Sequence, residues 1–341
     1  MNTTFVGSIL FLFLNKSLTN ETLDINNEHD SSEMERKRRI AQIAFLIISC
    51  IGIFGNSVSI LAMASYKKLR SPTTTFVITL CIADGLFCVI TFINYTMPEW
   101  NHNHYFCVLI TAAKALVGTE TVFLLVAITI NRYMCVYYPK RYRSMYRSKY
   151  VAGQITFTWM CALTFTILPF FGYFGRYGYH PKSGLCILLR PNSNSAKISF
   201  FTTFFALPIT VFAICYSRIY WSTYKLSKQL RSFDVSVNPA CDGSSNHVDA
   251  EEMKILKVMF TISISFVICF LPMGLVKLFD NKANIPALTA LSYLGINLSN
   301  VINPIIYVLM GAEYRKAYLE LFSCKRIQQR LSTTSGSNIR A

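Results

Sequence analysis

Thr73–Asn94 reads TTTFVITLCIADGLFCVITFIN, an apolar run broken near its middle by a single carboxylate, Asp84. A hydrocarbon core of about 30 Å is crossed by roughly 20 apolar residues in helical conformation. A carboxylate at mid-membrane is costly unless it finds partners or a cation, so the run reads as a span that carries a functional group. Asn56, Thr121, Ser299 and Asn300 are the candidate partners of Asp84.

Six further apolar runs surround it: Ile40–Tyr66, Tyr105–Tyr137, Tyr150–Gly172, Ala196–Tyr220, Ile255–Phe279 and Ile285–Met310. Every backbone amide in lipid needs an internal partner, and these runs are too long for tilted barrel strands, so all seven are helices. With 52% hydrophobic and 15% charged residues, the chain is too apolar for an ordinary soluble domain, and seven spans consume most of its 341 residues. The expected fold is an all-α membrane protein, one seven-transmembrane helix bundle at 40–310 between an N-terminal tail, 1–39, and a C-terminal segment, 311–341.

Of the 33 basic residues, 21 fall on the C-terminal side of the membrane when the N-terminus is outside, and 12 on the other. This asymmetry predicts an extracellular N-terminus and a cytoplasmic C-terminus, against the local pull of Arg36, Lys37, Arg38 and Arg39. Glycosylation triplets at Asn2, Asn15 and Asn20 agree with that orientation. Phe5–Leu14 resembles the core of a secretory signal but lacks a basic leader, and is read as part of the extracellular tail. Ser232–His247, rich in Asn, Asp, Gly and Ser, is expected to be a flexible cytoplasmic loop.

Eleven cysteines are present, seven in or at the inner ends of spans and Cys241 and Cys324 on the reducing side. Cys107 and Cys186 remain outside, where an oxidising compartment favours their pairing over two free surface thiols.

Lys114 and Arg132 are 18 residues apart in span three, five turns and about 27 Å on one helix face. With Thr121 on the same seam, span three presents a polar stripe toward protein. Arg132, in Asn131-Arg132-Tyr133, either snorkels to headgroups or pairs with an acid at the start of span six, Glu251 or Glu252. A pair released by a competing partner is a bistable contact, although acids also favour the positive end of their own helix. Pro272 in Cys269-Phe270-Leu271-Pro272 is expected to kink span six, and Pro169 and Pro208 to do likewise in spans four and five.

Taken together, Gly55-Asn56, Leu80 with Ala83-Asp84, Cys107, Asn131-Arg132-Tyr133, Trp159, Cys186, Pro208 with Tyr216, Phe270 with Pro272, and Asn303-Pro304-Ile305-Ile306-Tyr307 resemble the rhodopsin-like (class A) G-protein-coupled receptors over about Ile40 to Cys324. The resemblance implies a receptor that binds a ligand outside, swings span six outward and catalyses nucleotide exchange on a heterotrimeric G protein, with arrestin as a further partner. It implies that Arg132 engages Glu252 at rest and Tyr216 or the G protein when active, while Tyr307 turns inward and Phe270 reports ligand binding. Asp84 is implied to hold a sodium ion beside Thr121, Ser299 and Asn300, with no other cofactor. Ala312–Phe322 resembles the family's short amphipathic eighth helix, with Tyr314, Ala317, Tyr318, Leu321 and Phe322 as its apolar face and Cys324 as a palmitoylation site. Asn131 replaces the usual acid and Phe270 the usual Trp; the Asn-Arg-Tyr triad is similar to melatonin receptors and to the invertebrate receptors related to moody, and the intact Asn303-Pro304 favours the second group.

The expected ligand pocket comprises Lys114, Gly118, Phe266, Phe270, Met273, Lys277, Tyr293 and Asn297. Lys114 stands where aminergic receptors carry an Asp, which argues against an amine and, with Lys277 and Arg176, for an anionic small molecule or lipid. The competing reading neutralises Lys114 with Glu120 or Asp280, but Glu120 is about 240° around the helix.

The last span lacks a Schiff-base lysine, and no paired catalytic set is visible, so neither an opsin nor an enzyme is expected. The alternative is a multi-pass transporter or channel, against which stands the absence of internal repeats and rings of like charge. Membrane lipids are expected partners and nucleic acid is not.

Overall fold

Phe54, Leu109, Phe157, Ile268 and Leu309 are between 65% and 70% exposed, whereas Asn56, Asp84, Asn131 and Asn300 are buried. Apolar groups outside and polar groups inside suit a protein whose solvent is lipid, where interhelical hydrogen bonds and close packing hold the helices together. The computed structural model describes residues 27–97, 100, 102–173, 175–180, 185–189, 194–233, 243–279 and 286–323. Seven helices among these are long and apolar enough to cross a membrane: Arg39–Ser65, Pro72–Thr96, His104–Tyr137, Ser148–Phe171, Asn194–Ser222, Met253–Val276 and Leu291–Met310.

Local chemistry explains several boundaries. Span two, Pro72–Thr96, has Pro at its first position and Ser71 as its cap, Oγ accepting from the Thr74 amide at 3.1 Å. Asn103 caps span three, His104–Tyr137, its Oδ1 accepting from the Phe106 amide at 3.1 Å. A helix of seven residues, Pro139–Met145, follows before span four begins at Ser148. Outside, strand β1 (Arg176–His180) pairs antiparallel with β2 (Leu185–Leu189), Tyr179 opposite Cys186. The Cys107–Cys186 disulfide ties this hairpin to the top of span three.

Three expectations need correction. Pro169 does not kink span four at mid-length: it lies in the 3-10 turn Leu168–Phe171 that ends the span, before Gly172 at φ +84°. A proline within the first turn of a 3-10 segment has no interior hydrogen bond to remove. Just before Pro208, span five holds the π turn Thr202–Ala206, where the Leu207 amide bonds to Thr202 O. Glu251 and Glu252 do not open their helix, which starts at Gly243, so the favourable helix-end position is not theirs. The supposed loop 232–247 is helical at Phe233 and from Gly243, and the helix of span one reaches back to Asn27, because polar sequence outside lipid continues an already nucleated helix.

The core runs along the bundle axis through Leu80, Leu124, Leu125, Met259, Ile262 and Tyr307. Gly295 and Gly311 are among the glycines that permit close approach. A Cβ on Gly295 would stand 2.2 Å from Cys269 O, bringing spans six and seven together, and one on Gly311 would meet Tyr314 Cδ2 at 2.4 Å, where span seven turns into the last helix, Ala312–Phe322.

Candidate functional site

The polar groups form three layers along the bundle. In the middle, Asp84 is buried, its Oδ1 accepting from Thr121 Oγ1 at 3.1 Å and its Oδ2 from Asn303 Nδ2 at 2.7 Å. Thr121 is an anticipated partner; Asn303, expected in the inner switch, is not. Asn56 instead bridges Gly52 O and Asn300 O, both at 2.9 Å. Ser299 Oγ and Asn300 Nδ2 donate to Ile296 O at 2.8 and 2.7 Å. The amide oxygens of Asn56 and Asn300 are buried without a hydrogen-bond partner among the described residues. Two orphan oxygens, a carboxylate and neighbouring hydroxyls are all hard donors, so this layer fits a small oxygen-ligated cation.

At the inner layer Arg132 is 3% exposed, and Tyr142, Tyr216 and Tyr314 lie within reach of its charge. Asn131 accepts from Thr73 Oγ1 at 2.5 Å and faces the Tyr142 hydroxyl at 3.5 Å. Tyr142 stacks on Tyr146 at 4.7 Å, and burial raises both hydroxyls, Tyr146 to about 12, so both remain neutral. Tyr133 stacks on Tyr137 at 4.9 Å and meets Arg218 at 3.5 Å. Tyr216 shares a hydrogen bond with Ser263 at 3.2 Å, joining spans five and six. Tyr307 is fully buried, 4.0 Å from Cys81 Sγ and stacked on Tyr314 at 5.3 Å. Pro304 packs against span one, 3.3 Å from where Gly55 would carry a Cβ.

The last helix buries Tyr314 and Ala317, while Tyr318 bonds Ser59 Oγ at 2.6 Å. Leu321 is half-buried, but Phe322, expected on the same face, is 68% exposed. Arg315 donates to Val308 O and Leu309 O at 3.2 and 2.9 Å, satisfying carbonyls left open where span seven ends.

At the outer layer Lys114 Nζ lies 5.5 Å from the Tyr95 ring and 6.0 Å from Phe87, with no carboxylate partner among the described residues. Gly118 sits one turn below, its absent Cβ 3.8 Å from Phe87. Phe266 and Phe270 stack at 4.3 Å, and Met273 is half-buried one turn before Val276. Asn297 donates to Tyr293 O at 2.7 Å. Arg176 is exposed on β1, so it does not share a buried cavity with Lys114. Sequence reasoning missed Glu120, fully buried with Oε1 accepting from Thr158 Oγ1 at 2.8 Å. The signal was present: the argument made for a lone Asp in span two applies equally to a lone Glu in span three.

The side chains of Glu252 and Lys277, and Asn2, Asn15, Asn20, Asp280 and Cys324, lie outside the described residues, as do Phe5–Leu14 and Cys241.

Residues 55–307 match the family model described as 7 transmembrane receptor (rhodopsin family). The chain is 28% identical to the G-protein coupled receptor moody of Drosophila melanogaster over 84% of its own length, and spans about half, 51%, of that relative. It is 30% identical to Protein trapped in endoderm-1 of the same fly, covering 83% of this chain and 77% of that protein, and 24% identical to the Melatonin receptor type 1C of Xenopus laevis over 86% and 70%. Squid rhodopsin shares the fold, with a TM-score of 0.70 over 82% of this chain and 79% of that one at 21% identity. The moody and melatonin relatives are named as receptors. The chain therefore belongs to the rhodopsin family of seven-transmembrane receptors, and within it resembles the moody-type group.

Proposed function

We propose that this multi-pass protein works at the plasma membrane, N-terminus outside and C-terminus inside, taking an anionic small-molecule or lipid-like ligand into its outer layer and driving nucleotide exchange on a heterotrimeric G protein through outward movement of span six. Arrestin reads the same inner face. Asn2, Asn15 and Asn20 carry glycans, and Cys324 a palmitoyl chain.

The observation that carries the ligand class is Lys114, an ammonium inside the outer end of the bundle whose neighbours are the Tyr95 and Phe87 rings rather than a carboxylate. Withdrawing a charge from water is costly unless it is paired, and a carboxylate or phosphate on the ligand completes that pair. The same position removes the acid that an amine ligand requires. Aromatic surface at Phe266 and Phe270 suits an apolar ligand body.

For signalling, the supporting geometry is the inner layer. The charge of Arg132 reaches Tyr216, and Tyr216 is bonded to Ser263 of span six. Displacing span six breaks that bond and frees Tyr216 for Arg132. Glu252 is the acid that holds span six at rest. Asp84, with Thr121, Ser299, Asn300 and the orphan oxygen of Asn56, would hold a sodium ion, whose charge stabilises the resting middle layer.

The test is nucleotide exchange on purified G proteins of several classes, screened against anionic lipids, nucleotides and peptides. Lys114→Ala should lower the potency of the active compound by at least tenfold; unchanged potency would remove the anionic reading. Solute flux without exchange on any G protein would instead favour a transporter.

A further inference from the structure

From Thr121 to Phe233 the chain contains fourteen Lys and Arg residues and not one Asp or Glu. Five of those cations, Lys140, Arg141, Arg143, Arg147 and Lys149, fall within the connection between spans three and four, and all five are exposed. None has an acidic partner among the described residues. Two of them lie over rings instead: Arg141 is 5.8 Å from Tyr138 and Lys149 5.1 Å from Tyr150.

The connection is not a loose tether. Tyr142 and Tyr146, one turn apart, face inward, stack at 4.7 Å, and anchor the segment to Asn131 and to the Phe76 ring at 6.5 Å. With that side fixed, the five cations are held on the outer side. There they are interleaved with exposed Tyr138, Met145 and Tyr150, at 42%, 47% and 49%. Tyr150 also begins the outward stripe of span four that continues through Phe157 and Met160, 68% and 56% exposed, at helical spacing. The cations thus cap a lipid-facing stripe, at headgroup height.

We propose that this connection is a docking site for phosphate-bearing anionic lipid headgroups of the adjacent leaflet. Guanidinium and ammonium groups meet the phosphates, while Tyr138, Met145 and Tyr150 enter the boundary between headgroups and acyl chains. Continuity with the stripe of span four favours lipid over a soluble protein, which would approach along the bundle axis. The inference rests on the spans alone and is independent of the ligand assigned to Lys114.

The experiment uses the purified full-length chain in nonionic detergent and a short-chain dioctanoyl phosphatidylinositol phosphate as probe, read by thermophoresis. A cation at a membrane surface contributes about fivefold to binding of anionic lipid. The variant K140Q/R141Q/R143Q/R147Q/K149Q should therefore bind at least thirtyfold more weakly, while K67Q/K68Q/R70Q, which removes three other cations from the same side, should change affinity less than threefold. Binding should weaken as salt rises, and dioctanoyl phosphatidylcholine should not compete. Equal losses in both variants, equal competition by phosphatidylcholine, or equally tight binding of soluble inositol phosphate would each overturn the site. So would a five-fold variant that binds the lipid normally and loses only G-protein exchange, since the surface would then belong to a protein. A melting temperature close to that of the parent chain shows that the variant is folded; if it is not, the pairs R141Q/R143Q and R147Q/K149Q replace it, each expected to weaken binding about twenty-five-fold.

Discussion

Thr73 donates a 2.5 Å hydrogen bond to Oδ1 of Asn131, so the residue standing where the family carries an acid is spent on joining spans two and three rather than on Arg132. Thr73→Val leaves that buried oxygen unsatisfied and should cost about 1–3 kcal/mol, seen as a lower thermal midpoint of the purified receptor. Asn131→Asp keeps the acceptor, so stability should hold, while its new carboxylate beside Arg132 should lower ligand-independent nucleotide exchange several-fold. Unaltered basal exchange in that variant would show that the missing acid does not set the resting state.

Asp84 supplies the carboxylate that Thr121 and Asn303 hold in the middle layer, near the orphan oxygens of Asn56 and Asn300. A cation bound there stabilises the folded receptor by mass action. Replacing choline by sodium should raise the melting temperature of the parent chain and leave Asp84→Asn unmoved. An equal sodium response in both proteins places the ion elsewhere.

Glu120 reaches span four through Thr158 at 2.8 Å. Glu120→Gln retains an acceptor of the same reach and should be tolerated within about 0.5 kcal/mol. Glu120→Ala loses both the bond and the packing and should cost about 1–3 kcal/mol. Thermal unfolding of the two variants side by side checks the order; equal midpoints would mean that the contact holds nothing.

The Cys107–Cys186 bond closes a separation of 79 residues. The chain-entropy account gives about 4 kcal/mol for a loop of that length. Cys107→Ser, Cys186→Ser and the double variant should all lose the same stability, because each removes the same bond. A double variant markedly worse than either single would indicate that the thiols act separately.

Much of the bundle was legible because lipid imposes a length and a composition on every span. Seven runs were found within a few residues of the seven helices, and Arg39–Ser65 against Ile40–Tyr66 shows how closely. Asp84, Arg132 and Lys114 stood out for the same reason, since a charge in an apolar run has no routine explanation. Glu120 was passed over when it was considered only along its own helix, 240° from Lys114, although its partner lies on another span.

The sequence by itself determined the all-helical class, the span count, the disulfide pair and the family pattern, since each follows from composition, order and local spacing. Tertiary structure alone decided the pairings: Asn303 rather than Ser299 or Asn300 on Asp84, Thr73 on Asn131, Tyr318 on Ser59, and the outward side of the Pro139–Met145 connection. A span's length is a property of consecutive residues, but a hydrogen bond between spans depends on each helix's rotation and depth. Those are set by the packing of all seven together, from glycines such as Gly295 to rings such as Tyr307.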